Sequence, residues 1–431
     1  MNSLNLGLIG YGVVGSGVVK FLKNRENFLR NKFNSEFNLR AICDRSIHKK
    51  NTRGLGKILL TTKFQDVLRD PKIDVVIELI GGIHPAKEIV LGALEAGKHV
   101  VTANKMLLAL YGEELFRVAK SKNRNIYFES CVGAGTPVIK LITEGVAGNK
   151  FNAFYGIING TCNYILSEMT KNNLTFSQAL KEAQKKGFAE SNPSLDVNGT
   201  DSAFKLAILV FLALGKSIKI SDMAIEGITH ISHIDIDYAE SLGLSIKLLA
   251  IAKRVKNEIE VRVQPTMIAK DHPLASVHGI FNAIFLDTDP LGDILLYGQG
   301  AGQMTAASGV ISDLINLAAR HDYQYFMTVG NLFQDIASFK LRKIDQIVSK
   351  FYLRFMAIDK PGVLSKISGI LGKHGISIAS VTQKIQKSGS TVPVIMLTDQ
   401  AKEKMLRLAL RQIHKLSIVK SRPVAIRMEK L

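Results

Sequence analysis

The sequence contains no tryptophan and only three cysteines among its 431 residues. Cys43, Cys131 and Cys162 are widely separated, odd in number and never arranged as CxxC. This usage argues against a disulfide framework and a zinc site, and it is typical of the reducing cytoplasm. The chain also lacks any apolar run of about eighteen residues, which excludes a transmembrane helix.

The N-terminus lacks the features of a signal peptide. Residues 4–10, LNLGLIG, have a strand-like pattern from the start, which leaves no room for a charged segment followed by an apolar one. Together with the cysteine usage, this predicts a cytoplasmic protein.

The formal net charge of +19 raises the hypothesis of a nucleic-acid-binding protein. The basic residues are spread along the whole chain, however, and no basic run is interleaved with aromatic residues. Attraction of anionic small molecules by a positive field is a simpler explanation of the net charge. With 46% hydrophobic residues, the composition is that of an ordinary globular protein of about two to four domains.

The first motif is a glycine-rich turn between a strand and a helix, within residues 4–20. Gly10, Gly12 and Gly15 form GxGxxG, which permits the turn, the approach of a pyrophosphate and close packing of the helix on the strand. The pyrophosphate is expected at the helix N-terminus, where unpaired amides favour anions. The predicted cofactor-binding residues of this turn are Gly10, Tyr11, Gly12, Val13, Val14 and Gly15.

The second strand ends at Asp44, and Arg45 follows it. An acid at this place binds ribose hydroxyls and favours NAD, whereas an adjacent arginine accepts the 2′-phosphate of NADP. The basic loop from Arg45 to Lys57 favours NADP without excluding NAD.

Residues 73–80 form an apolar run that is typical of a strand inside a parallel sheet. The segment HVVTANKMLLAL then predicts strand, polar turn and helix, with Thr102 and Lys105 at the carboxyl end of the strand. Ligands bind at this end in open α/β sheets, so both residues are predicted to lie in the site.

The densest cluster of chemically active residues lies between Lys181 and Lys205. A polar loop carries Glu190 and Asp196, and the following helix places Asp201 and Lys205 on one face, one turn apart. The helix then continues as the apolar LAILVFLALG, which is typical of a buried helix. Carboxylates and an amine beside a buried helix indicate a substrate site.

This segment resembles the signature of homoserine dehydrogenases through Gly187-Phe188-Ala189-Glu190, Pro193, Asp196, Gly199, Asp201 and Lys205. The resemblance implies reversible NAD(P)H-dependent reduction of L-aspartate 4-semialdehyde to L-homoserine, a step in threonine, methionine and isoleucine biosynthesis. Lys205 is the first candidate for the acid/base and Lys105 the second. Glu190 and Asp201 are expected to hold the substrate amino group, with Asp196 in support.

The same resemblance extends the list of site residues. Gly187 and Gly302 are expected to approach the cofactor, although Met304 stands where the family usually has proline. A monovalent cation, Na⁺ or K⁺, is implied close to the cofactor after a strand from Ile126 to Ser130. Its ligands would be Glu129, Val132, Ala134 and Thr136, mostly through backbone carbonyls.

From Tyr352 onward the pattern strand, helix, strand, strand, helix, strand resembles an ACT domain, with Asp359, Pro361 and Gly362 after its first strand. Such domains bind amino acids between paired copies. An L-threonine effector and a homodimer or homotetramer are therefore implied, although a role in assembly alone stays open.

The predicted fold class is α/β in three parts. A Rossmann-type NAD(P)-binding domain covers residues 1–135 and is completed by 305–335, and a catalytic and dimerisation domain with a mostly antiparallel sheet covers 136–304. A linker, 336–350, precedes the ACT domain, 351–431. No kinase-like region precedes Gly10, so an aspartokinase fusion is not expected.

Two alternatives stay open at this point. One is a dehydrogenase for a related amino-acid semialdehyde, and the other is an ACT-coupled sensor that binds nucleotide and amino acid without turnover. Four intact residues argue against a sensor, which need not retain both lysines: Lys105, Glu190, Asp201 and Lys205.

Overall fold

The computed structural model describes residues 2–215, 217–319, 339–383 and 391–431. The strands are β1 (Asn2–Ile9), β2 (Ser35–Cys43), β3 (Leu59–Thr61), β4 (Val75–Glu78), β5 (His99–Thr102), β6 (Ile126–Tyr127), β7 (Lys150–Ile157), β8 (Ala224–Ile225), β9 (Leu244–Val255), β10 (Glu258–Ala269), β11 (Phe281–Asp289), β12 (Gly292–Gln299), β13 (Lys340–Leu341), β14 (Val348–Ile358), β15 (Ile378–Gln383), β16 (Thr391–Thr398), β17 (Ala401–Lys402) and β18 (Val424–Met428).

The α-helices are α1 (Val13–Asn24), α2 (Glu26–Phe33), α3 (Phe64–Arg69), α4 (Ala86–Glu95), α5 (Lys105–Ser121), α6 (Val138–Lys140), α7 (Gly160–Asn172), α8 (Phe176–Lys185), α9 (Ser194–Val197), α10 (Thr200–Leu214), α11 (His233–Ser241), α12 (Gln303–Ala319), α13 (Val363–Lys373) and α14 (Glu403–His414). Two compact units are formed. The first comprises Met1–Asn152, Phe204–Ile220 and Asn282–Ser338, and the second Ala153–Ala203, Ser221–Phe281 and Phe339–Leu431.

The first unit contains a six-stranded parallel sheet in the order β3-β2-β1-β4-β5-β6. The middle of its central strands is apolar because helices cover both faces of such a sheet. Leu6, Leu8, Val75 and Ile77 are completely buried. The order is that of a dinucleotide-binding fold, and the predicted Rossmann-type domain is confirmed.

One predicted strand of this sheet is shorter than expected. The segment Ile126–Ser130 is extended only over β6, and a 3₁₀ turn follows at Glu129–Cys131. The cause is a side chain: the Glu129 N–H donates to Asp313 Oδ2 at 2.9 Å instead of to a neighbouring strand.

The second unit contains a mixed, mainly antiparallel sheet. β9 and β10 form a hairpin in which Val255 faces Glu258, and β7 pairs with β9. β10 then runs parallel to β18, with Thr266 opposite Arg427, and the antiparallel pairs β18–β14, β14–β16 and β16–β15 follow. The expected strand-helix-strand-strand-helix-strand order is present from β14 to β18, and the predicted fold class is confirmed.

Buried charges lie where β10 meets β18. Arg262 on β10 is completely buried, with Nε 2.8 Å from Glu260 Oε1, and its other edge pairs with Glu429 just after β18. Lys253 on β9 also pairs with Glu429. We call Lys253, Glu260, Arg262 and Glu429 the junction cluster.

Two further buried ion pairs hold the C-terminal strands. Arg427 makes bidentate bonds of 2.6 and 3.1 Å to Glu403, and Arg354 makes bonds of 2.7 and 3.0 Å to Asp235 on α11. Bidentate pairs of this kind fix geometry as well as charge.

The domain boundaries given above remain predictions. β13 and the start of β14 fall within the predicted linker, 336–350. Residues 336–338 of this linker, and 320–335 of the return to the nucleotide domain, lie outside the described residues. Among the helices of the described ranges, none is both long and apolar enough to cross a bilayer.

Candidate active site and nucleotide-binding residues

The glycine-rich turn has the geometry that its motif predicts. Gly10 has φ +103°, a conformation that L side chains rarely adopt. A Cβ on Gly15 would lie 2.0 Å from Gly10 O, so only glycine lets α1 pack on β1. A Cβ on Gly12 would meet nothing within 4 Å, and Val13 is 69% exposed. Open space therefore lies at the N-terminus of α1, where a pyrophosphate is expected.

Asp44 follows β2 and is held by three neighbours. Its carboxylate accepts hydrogen bonds from Tyr11 N–H at 2.9 Å, from Ser46 N–H at 2.8 Å and from Lys50 Nζ. Burial raises the pKa of Asp44, but the bonds from Lys50, Ser46 and Tyr11 outweigh it, and the pKa falls to about 2. Arg45 beside it is exposed. The acid at the ribose position is thus ionised and already paired with a cation.

Thr102 and Lys105 lie at the carboxyl end of β5, as predicted. Thr102 is completely buried and donates to Glu78 Oε2 at 2.7 Å. Burial raises the pKa of Glu78. Asn104 caps α5 by accepting from Leu107 N–H at 3.1 Å, and it donates to Gly82 O at 2.7 Å. This cap fixes Lys105 as the first residue of the helix.

The signature carboxylates of the second unit are joined by a residue that the sequence analysis missed. Asn159 Nδ2 lies 2.7 Å from Asp196 Oδ1 and 2.9 Å from Asp201 Oδ2. Asn159 also caps α7, because its Oδ1 accepts from Cys162 N–H at 2.8 Å. One amide therefore brings Asp196 and Asp201 together. The only sequence signal was an asparagine before the glycine that starts a helix.

The other signature residues lie on α10 and in the loop after α8. Asp201 is buried and Lys205 half-buried, one turn apart on α10, whose later residues are buried as predicted. Glu190 is exposed, in a loop held by Gln184 Nε2, which donates to Glu190 O at 3.1 Å. Gly187, at φ +75°, turns the chain after α8 into this loop.

The four predicted cation ligands, Glu129, Val132, Ala134 and Thr136, lie in one buried turn of the first unit. Both Glu129 carboxylate oxygens accept backbone N–H groups at 3.0 Å, from Ile139 and Lys140. The Thr136 hydroxyl donates to Gly133 O at 2.7 Å. Carbonyl and hydroxyl oxygens are ligands that suit an alkali cation. The Glu129 side chain, by contrast, already fastens the start of α6.

Two buried acids adjoin this turn. Burial raises the pKa of Glu129 to about 7, even though the N–H groups of Lys140 and Ile139 favour the ionised form. Burial and the nearby charge of Glu129 raise the pKa of Asp313 well above its ordinary value. Asp313 was not predicted, because a lone acid within an apolar helix gives no sign of its partner. No cluster of His, Cys, Asp or Glu suited to a metal ion occurs in the described ranges.

The return segment forms a glycine-containing turn before α12. Gly302 has φ +134° and is exposed before α12, and Met304 is 42% exposed. A Cβ on Gly300 would lie 2.0 Å from Asn282, so this turn requires glycine. Gln303 packs against Gly17, which brings the start of α12 close to α1.

Comparisons with known proteins agree with this geometry. The family model "Homoserine dehydrogenase" matches residues 137–315, "Homoserine dehydrogenase, NAD binding domain" matches 10–129, and "ACT domain" matches 351–417. The homoserine dehydrogenase of Neisseria gonorrhoeae is 39% identical, with 100% of both chains covered.

Two solved structures are also similar. A homoserine dehydrogenase from Thiobacillus denitrificans has 39% identity and a TM-score of 0.92, covering 100% of this chain and 99% of the other. A hyperthermophilic archaeal homoserine dehydrogenase in complex with NADPH has 28% identity and a TM-score of 0.63, covering 73% and 97%.

The parallel sheet, the glycine-rich turn and the family models define an oxidoreductase that acts on a CH–OH group with a nicotinamide cofactor. With nearly two fifths of its residues identical to relatives over the full length, the chain belongs to the homoserine dehydrogenase family. The predicted enzyme class is confirmed, and a sensor without turnover is not favoured.

Proposed function

We propose that the chain interconverts L-aspartate 4-semialdehyde and L-homoserine through the residues of the Lys181–Lys205 segment. The observation that carries the proposal is the single amide of Asn159 that joins Asp196 and Asp201. Carboxylates held in this way suit the ammonium group that substrate and product share, and Glu190 would assist. The protein must then position the substrate and manage one proton, since the cofactor carries the hydride.

Lys205 is the proposed acid/base, because it follows Asp201 by one turn of α10. In the oxidative direction, Lys205 would take the hydroxyl proton of the substrate, while a bound nicotinamide would accept the hydride. The reverse reaction protonates the alkoxide oxygen. Lys105 is the second candidate, either as the base or as a positive charge that stabilises the alkoxide.

The test is the oxidation of L-homoserine with NADP and with NAD, for wild type, Lys205→Ala and Lys105→Ala. Loss of acid/base catalysis is expected to lower kcat by about a hundredfold or more in Lys205→Ala. Lys181→Ala, on an exposed face of α8, is the matched control and should keep full activity. A collapse in Lys105→Ala alone would move the proton to Lys105, and absence of turnover by folded wild type would contradict the proposed reaction.

The cofactor is a nicotinamide dinucleotide, and we propose NADP as the preferred form. Lys50 neutralises Asp44, so the carboxylate repels a 2′-phosphate less, and exposed Arg45 is adjacent. The archaeal relative in complex with NADPH supports this choice. Lys50→Gln should shift the ratio of kcat/KM for NADP over NAD toward NAD by roughly tenfold, the scale of one lost charge contact. Lys49→Gln, exposed beside it, is the control; an unchanged ratio in Lys50→Gln would refute this role.

A monovalent cation, Na⁺ or K⁺, is proposed at Glu129, Val132, Ala134 and Thr136, close to the cofactor. The donor chemistry of this buried turn supports it. Activity measured in a tetramethylammonium buffer should rise on adding KCl or NaCl at constant ionic strength. If tetramethylammonium chloride raised the activity equally, the proposal of a specific cation site would be wrong.

The ACT domain is proposed to bind L-threonine as an inhibitor and to pair with a second copy. A cavity of about 330 Å³ beside the loop after β14, lined by Asp359, Pro361 and Gly362, supports this. Inhibition assays with threonine test the effector, and light scattering tests the homodimer or homotetramer.

A cytoplasmic location is proposed from the three buried, scattered cysteines.

A further inference from the structure

A second and larger cavity, of about 640 Å³, lies within the second unit. It is bordered by β8 and β10 on one side and by β14, α14 and the residues that lead into β18 on the other. None of its lining residues belongs to the cavity beside Asp359. Its volume is in the range of small-molecule sites.

Of the four arginines that line this cavity, two are paired with a carboxylate in the described part of the chain and two are not. Two of its four arginines, Arg427 and Arg407, already share the buried carboxylate of Glu403, at 2.6 and 2.9 Å. Arg411 and Arg422 are exposed, and no carboxylate of the described residues pairs with either. The cavity thus keeps two guanidinium groups available for an anion, and guanidinium forks match a carboxylate or phosphate.

The same cavity offers acceptors on its sheet side. Gln264 on β10 is only 1% exposed, and its Oε1 finds no hydrogen-bond partner among the described residues. A buried acceptor without a donor is costly, and a ligand N–H group would relieve that cost. The carboxylate of Glu226, 41% exposed, also lines the cavity, where it lies 3.4 Å from His230 Nε2 and 3.9 Å from Arg427 Nη1.

Apolar side chains complete the lining. Phe351 and Leu406 are buried, and Leu410 is half-buried. A ligand that meets all three kinds of surface carries an anionic group, a cationic hydrogen-bond donor and a small apolar part. A free α-amino acid has this combination.

We propose that this cavity binds a free α-amino acid, with its carboxylate on Arg411 and Arg422 and its ammonium group on Gln264 and Glu226. The site is distinct from the ACT-domain loop at Asp359, and the inference does not depend on the proposed reaction. A ligand here would contact both β10 and α14, so its binding would favour one arrangement of these two elements.

The test is isothermal titration calorimetry on the full-length protein with each proteinogenic L-amino acid, and with inorganic phosphate as an anion that lacks the ammonium group. A variant carrying Arg411→Gln and Arg422→Gln removes the anion contacts without disturbing buried residues. It should weaken amino-acid binding at least tenfold. Lys404→Gln, exposed on the same helix, should bind as wild type does.

Gln264→Leu gives a second readout, since it removes one of the two proposed ammonium contacts, leaves both arginines in place and should also weaken binding. If Gln264→Leu prevents folding, the variant with both arginines replaced is sufficient to test the proposal. Three results would overturn the proposal: no amino acid binds wild type, phosphate binds as tightly as any amino acid, or the double variant keeps wild-type affinity. The last result, with loss of binding in Asp359→Asn, would assign the ligand to the ACT loop instead.

Discussion

The parallel sheet of the first unit and the junction of β10 with β18 in the second are both deeply buried, yet they achieve burial in opposite ways. Val75 and Ile77 on β4 exclude water with apolar side chains, and the one acid of the strand, Glu78 at its end, accepts a hydrogen bond from Thr102. The junction cluster buries Arg262 completely and compensates its charge with Glu260 and Glu429. Apolar burial is non-directional, whereas a buried ion pair is favourable only with all partners in place.

The two regions should therefore fail differently when one side chain is removed. The sheet loses contacts in proportion to the atoms deleted, and its surroundings relax in part. The junction keeps an unpaired charge that it cannot hydrate. Four substitutions test this contrast.

The largest effect is expected for Arg262→Met, which leaves Glu260 and Glu429 with Lys253 as their one remaining partner in the junction cluster. Breaking a buried pair in this way should lower the free energy of unfolding by about 3–5 kcal/mol. Urea denaturation at neutral pH measures it. The contrast would fail if the loss stayed below about 1 kcal/mol, the value of an exposed pair.

Ile77→Ala should follow, with a loss of about 2–5 kcal/mol from the lost transfer energy and the residual cavity. No charge is stranded, so the loss should be the same at pH 5 and pH 8. A strongly pH-dependent loss in Ile77→Ala would show that the adjacent buried acid, Glu78, contributes to the effect.

A smaller effect is expected from Glu129→Gln. The folded-state pKa of Glu129 is raised from 4.5 to about 7, so the folded protein binds more protons than the unfolded chain between these values. Its contribution is complete below about pH 4.5 and is lost as the pH rises through about 7. The wild type should thus lose more stability across this window than Glu129→Gln. The free energy of unfolding is measured by urea denaturation at several pH values. The same dependence on pH in wild type and Glu129→Gln would contradict the raised pKa.

The smallest effect is expected at the surface. Arg117 pairs with Glu113 at 3.0 Å, with side chains 72% and 53% exposed. Arg117→Gln should change the free energy of unfolding by less than about 1 kcal/mol, because water screens exposed pairs. A loss comparable to that of Arg262→Met would mean that burial does not govern these pairs.

The same contrast explains what could be predicted from the sequence. The apolar run at residues 73–80 predicts a buried parallel strand, and β4 lies there. The alternation in β10 predicts a strand but gives no sign that its polar face is buried, although Glu260, Arg262 and Gln264 are all at most 2% exposed. The local sequence pattern predicts the type of element. It does not predict the burial of a polar residue, because that burial depends on a partner such as Glu429, which is distant in sequence.

The candidate site divides along the same line. Gly10, Gly12 and Gly15 could be placed because their function depends on the local turn. Asn159 and Asp313 could not, since each acts on residues that are distant in sequence, at 2.7 Å from Asp196 and 2.9 Å from the Glu129 amide. The roles of Lys205 and Lys105 are still predictions.

The parallel pairing of β10 with β18 also limits where this chain can be shortened. Relatives exist that align with only 73% of it, which suggests that a shorter enzyme is a workable design. In this chain, however, removing the segment from β14 onward would bare the backbone of β10 at Thr266 and Met267 and would leave Arg262 without Glu429. An uncovered strand edge is a template for pairing with other chains. A truncated form is therefore expected to aggregate unless that edge is redesigned with charged residues.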